Sequence, residues 1–133
     1  MKEIITEIKA LLDREIPSLE CVLAEDRVIR IEPVNIEVGG ISIEEYFDDE
    51  AIVYLGRFTH CHIGCYENYT NDQMVESIST EVVNLIKDLI NDEIILWARK
   101  RSGGFYKKGE KPNSKSLFGK QYEEWVWSGR VSS

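Results

Sequence analysis

Residues 70–91 read TNDQMVESISTEVVNLIKDLIN. Val75, Ile78, Val82, Leu85, Ile86 and Leu89 recur at three- and four-residue spacing, which places them on one face of a helix. Thr70 offers a hydroxyl to the free amides of the first turn and Gln73 can reach back to it, the pairing of a capping box. Asn91-Asp92 ends the run. A long helix with a single apolar stripe must bury that stripe, so it is expected to be the spine of the core, and the rest of the chain is read by what it can lay against it.

Upstream, residues 2–15 carry Ile4, Ile5, Ile8, Leu11 and Leu12 at helical spacing, and Pro17 closes the segment because proline disfavours helix at the residue before it. Between the two helices the apolar period shortens to two. Leu19, Cys21 and Leu23, then Val28, Ile29 and Ile31, read as two short strands broken at Glu25-Asp26. Val34, Ile36 and Val38 alternate with polar residues, and Gly39-Gly40 is expected to turn a hairpin into Ile41 and Ile43. A strand of about 12 residues is expected from Ala51 to Ile63, ahead of Gly64.

Past the long helix, Ile94 to Lys100 reads as a strand, Ser102-Gly103-Gly104 as a turn, and residues 105–120 as a long polar loop. Tyr122 to Ser128 closes the chain as a strand with Trp125 and Trp127 on one face. The strands cluster in blocks without regular βαβ alternation. The expected class is therefore α+β, a mostly antiparallel sheet packed against an N-terminal helix and one long central helix, in one domain over residues 1–133.

The composition, 43% apolar and 30% charged, is that of a chain able to bury a core. The start MKEIITEIKALLDREIP is punctuated by charge and no long apolar run follows, so neither a signal peptide nor a membrane span is expected, and a cytoplasmic location is. Cys21, Cys61 and Cys65 are an odd number and are expected as free thiols. The net charge of −8 is unevenly spread: residues 1–96 hold 21 acidic and 7 basic side chains, residues 97–133 hold 3 and 9. Pairing between the two parts accounts for some of this contrast.

Three groups of residues invite a functional reading. The first is Glu44, Glu45, Asp48, Asp49 and Glu50 around Tyr46 and Phe47. Clustered carboxylates attract and orient a basic partner, and the two rings supply an apolar anchor. The run lacks the ligand order and fixed glycine of a calcium loop. The second is the basic, aromatic stretch 97–122, with Trp97, Arg99, Arg101, Phe105, Tyr106, Lys107 and Lys108 foremost. Cations that pair phosphates and rings that stack on bases suit a nucleic-acid- or phosphate-binding module, an alternative that the overall negative charge opposes. The third is Thr59-His60-Cys61-His62-Ile63-Gly64-Cys65. On a strand His60 and His62 share a face and Cys61 points away, so His60, His62 and Cys65 are the only metal candidates. A fourth ligand of suitable direction is missing, so no metal and no other cofactor is expected, and residues this close on one strand suit no nucleophile–base pair.

The long helix followed by Glu93-Ile94-Ile95-Leu96-Trp97, the glycines Gly103-Gly104 and the terminal Trp125-Val126-Trp127, in a small acidic α+β chain, resembles immunity proteins of bacterial toxin–immunity systems over the second half of the sequence. That resemblance implies a protein that binds and neutralises a cognate toxin in the cytoplasm, by covering its active site or a nearby surface; no enzymatic activity is expected because catalytic groups are missing, and the acidic cluster makes a basic toxin domain the expected partner. Such families vary their binding residues, so no individual residue carries over.

Overall fold

The computed structural model describes residues 3–65, 67–99, 102–110 and 123–131. Among these residues two helices and two antiparallel sheets make up an α+β fold. Helix α1 spans Ile4–Glu15 and α2 spans Asn71–Ile90. The first sheet is a meander in sequence order, β1 (Cys21–Leu23), β2 (Ile29–Ile31), β3 (Ile41–Tyr46), β4 (Glu50–Leu55) and β5 (Thr59–Gly64). The second runs in the order β7 (Ser102–Lys107), β6 (Ile94–Arg99), β8 (Glu123–Val126) and β9 (Gly129–Arg130).

The capping box forms as the spacing requires. Gln73 N–H donates to Thr70 Oγ1 (3.3 Å), and Thr70 N–H donates to Gln73 Oε1 (3.0 Å). Val75, Ile78, Val82, Ile86 and Leu89 are buried, and Val83 and Ser79 join them. Leu85 instead lies half-buried at the margin of the core, so the stripe is rotated slightly from the expected one. The two helices lie against each other and against the first sheet, α1 touching β1, β3 and β4, and α2 touching β4 and β5. One core cluster runs from Ile4, Ile8 and Leu12 through Ile29, Ile43, Val53 and Leu55 to Leu96, Trp125 and Trp127, so both sheets share it.

Four local expectations are corrected. Val34, Ile36 and Val38 form no strand: Val34 and Ile36 are exposed, and the Asn35 carboxamide oxygen takes the Glu37 N–H (2.9 Å) in a turn. The hairpin is made by β2 and β3 across this longer loop, because an asparagine that can bond its own backbone competes with strand formation. The single strand expected over 51–63 is the hairpin β4–β5, turned at Gly56, whose φ of +59° is open to glycine and whose missing Cβ makes room for the Val38 carbonyl.

Gly103 and Gly104 lie inside β7 rather than in a turn, and Phe105, Tyr106 and Lys107 continue that strand rather than opening a loop. A Cβ on Gly103 would collide with the Phe58 carbonyl oxygen, and one on Gly104 would sit 2.5 Å from the Trp97 indole that covers it. Two adjacent glycines therefore serve two faces of one strand: one admits the backbone of the first sheet, the other an aromatic ring. The sheets also meet through Arg57. Its guanidinium lies 4.3 Å from the Phe58 ring centroid and 5.2 Å from that of Trp125, while its Nε donates to the Glu37 carbonyl (2.6 Å).

Candidate functional site

The alternation of β3, β4 and β5 gives the first sheet two unlike faces. Ile41, Ile43, Ala51, Val53, Leu55 and Ile63 turn to the helices and are buried. The intervening residues turn away, and the register sets them in three rows of three: Ser42, Tyr54 and His60; Glu44, Ile52 and His62; Tyr46, Glu50 and Gly64. Among the described residues no helix covers this face.

Its centre is Ile52, only 4% exposed although it belongs to no part of the core cluster. Its neighbours, not the protein interior, keep water from it. Around it the rings form a chain: Phe47 to Tyr46 (centroids 4.3 Å apart), Tyr46 to His62 (5.9 Å), His62 to His60 (5.2 Å) and His60 to Tyr54 (5.6 Å). Both carboxylates of the array accept a hydrogen bond from a neighbouring ring side chain. Tyr54 donates its hydroxyl to Glu44 (3.2 Å), and the Nδ1–H of His62 donates to Glu50 (3.1 Å). The hydrogen bond to the Glu44 carboxylate, more than desolvation, raises the Tyr54 phenol above its ordinary pKa.

The acidic segment thus spans the end of β3, a three-residue turn and the start of β4. At that turn Phe47 and Asp48 adopt φ of +58° and +72°. A left-handed conformation is costly for a residue as bulky as phenylalanine, and here it holds a side chain 77% exposed at the tip of the hairpin. Glu45 leaves the group: it lies on the helix side of β3, and its Oε1 accepts the Ile5 N–H (3.1 Å). The candidate surface is therefore Glu44, Tyr46, Phe47, Asp48, Asp49 and Glu50, with Ile52, Tyr54, His60 and His62 added. The strand period would have found the added four had the break at Gly56 been read correctly, because only then do β4 and β5 lie side by side.

The other two groups are dispersed. His60 and His62 are neighbours on the exposed face, but Cys65 lies beyond β5 and, like Cys61, is partly buried against the core. Among the described residues no group of three or more His, Cys, Asp or Glu converges on a metal position. In the basic stretch, Phe105 packs against the core, Tyr106 donates its hydroxyl to Glu124, and Lys107 lies 3.8 Å from Asp88. Trp97 stays half-buried on β6 over Gly104, with Arg99 further along the strand and Lys108 exposed past β7. Lys100, Arg101 and residues 111–122 lie outside the described residues. A cleft of about 280 Å³ between the helices, lined by Glu7, Leu11, Arg14, Glu76, Ser79 and Thr80, mixes both charges. Among the described residues no helix is long and apolar enough to cross a membrane.

Comparison with protein-family models, with curated proteins and with solved structures finds no match to this chain.

Proposed function

We propose that the protein is a cytoplasmic binding module of immunity type, which neutralises a cognate basic toxin domain by covering it and performs no chemistry of its own. The observation that carries this reading is Phe47, left-handed and 77% exposed between Tyr46 and the carboxylates Asp48 and Asp49. A strained backbone that exposes an aromatic side chain costs stability, and a contact made elsewhere is what offsets such a cost. The ring supplies the anchor, and the surrounding negative charge steers a positive partner to it.

The test is kinetic and uses the product of a neighbouring toxin-like gene, co-purified with this chain. Asp48→Asn with Asp49→Asn should slow association several-fold at low salt and have little effect near 1 M, where the screening length is only about 3 Å. Phe47→Ala should raise the dissociation rate at every salt concentration. A tight complex indifferent to both changes would move the interface away from this hairpin.

A further inference from the structure

We infer that the face around Ile52 is a docking surface for a basic polypeptide segment laid across β3, β4 and β5, and that its centre receives an arginine side chain. This deepens the inhibitor reading and rests on it for the identity of the partner, but the chemistry follows from the face itself.

The three-by-three array and its hairpin tip hold the carboxylates of Glu44, Asp48, Asp49 and Glu50 and no lysine or arginine. The nearest cation by register is Arg30, opposite Ser42, and it already bonds Asp26 through two nitrogens (3.2 and 2.7 Å). Among the described residues no lysine or arginine pairs with Glu44 or Glu50. Each uses Oε1 to accept from Tyr54 or His62, and Oε2 of each takes no hydrogen bond from the described residues. Tyr54 and His62 thus fix the orientation of the two carboxylates, and neither carboxylate is matched by a lysine or arginine among the described residues.

The rings decide which cation suits. Tyr46, Tyr54, His60 and His62 stand around an apolar floor at Ile52, and the fourth corner of the array is Gly64, which carries no side chain. A guanidinium is planar, weakly hydrated and able to lie on a ring while its edge donates to two carboxylates, whereas an ammonium is compact and strongly hydrated. Glu44, opposite Ile52 on β3, and Glu50, two residues before it on β4, both flank the Ile52 floor and suit the forked donor. The same charges repel phosphate, so a nucleic acid is excluded from this face.

The test is a titration of the isotope-labelled chain with a blocked pentapeptide carrying two arginines, against the same peptide with citrulline in their place, at low salt. The arginine peptide should give saturable amide shifts centred on Glu44, Ile52 and His62, the citrulline peptide none. Glu44→Gln with Glu50→Gln should weaken binding about tenfold, while Asp13→Asn, a carboxylate on α1, should leave it unchanged. Shifts spread evenly over the acidic positions of both helices, or binding indifferent to the Glu44 and Glu50 changes, would overturn the inference. Because no toxin is needed, a face that ignores the arginine peptide while the cognate toxin still binds through Phe47 sinks this inference alone and leaves the inhibitor reading in place.

Discussion

Glu45 Oε1 accepts the backbone N–H of Ile5 at 3.1 Å, so a residue on β3 closes the start of a helix forty positions earlier in the chain. Glu3, at the N-cap of α1, makes no side-chain cap of its own and instead pairs with Arg27. The free amides and positive end of α1 are thus served from the sheet, which fixes the helix on the strands as well as completing it.

Glu45→Ala should accordingly cost about 1 kcal/mol, the usual loss for a removed cap. Urea unfolding measures it, and the same variant should bind the arginine peptide with unchanged affinity, since Glu45 faces away from the docking array. A stability equal to that of the parent protein would show that the bond to Ile5 contributes nothing.

Phe47→Gly should stabilise the fold by about 0.5–1 kcal/mol, because relief of the left-handed strain exceeds the entropy cost of glycine at an exposed site. On the inhibitor reading proposed above, the same variant should bind its toxin more weakly. If urea denaturation shows a loss of stability instead, the ring is held by packing on Tyr46, and its exposure is not a sign of binding.

Ile86→Ala and Leu85→Ala differ by one position on α2 and should differ widely in effect. Ile86 is fully buried and should cost about 2–5 kcal/mol, whereas half-buried Leu85 should cost less than about 2 kcal/mol. Equal losses would contradict the burial pattern of the helix.

How far the chain could be read in advance follows from these residues. The two helices were legible because their stripes run over several turns and Thr70 and Gln73 mark a start. Leu85 was misjudged because a stripe fixes a helical face only to within about one residue's rotation. The array around Ile52 was hidden because Gly56-Arg57-Phe58 lacks the Asn-Gly or Asp-Gly pair that announces a tight hairpin, so β4 and β5 merged into one strand. The carboxylate run was visible, but the inward turn of Glu45 depends on where β3 begins, and the false strand at Val34–Val38 obscured that.

Gly103→Ala should be more damaging than Gly104→Ala. The first sets a methyl against the Phe58 carbonyl, which belongs to backbone and cannot yield, so a loss of about 1–3 kcal/mol is expected. The second meets only the Trp97 side chain, which can tilt, so its mark should be a changed tryptophan emission with a smaller loss of stability. The reverse order would mean that the two sheets are free to shift at this junction.

The thiols give a prediction in pH. Burial, the largest influence on each, pushes the Cys21 and Cys61 thiols above their ordinary value, so less thiolate is present near neutrality. Alkylation of both by iodoacetamide at about pH 8 should be several-fold slower than that of a free thiol, should accelerate as the pH is raised further, and should reach the free rate in urea. Fast labelling of either residue in the folded chain at about pH 7 would contradict this.

On the proposed docking reading, the two-residue period of β3, β4 and β5 assigns holding the fold and meeting a partner to alternate positions of the same strands. Ile41, Ile43, Val53, Leu55 and Ile63 answer to the core; Glu44, Tyr46, Glu50, Tyr54, His60 and His62 answer to whatever docks. If that partner changes in a lineage, substitutions at the second set can accumulate without eroding the first, so recognition would be free to drift across generations on a scaffold that selection keeps still.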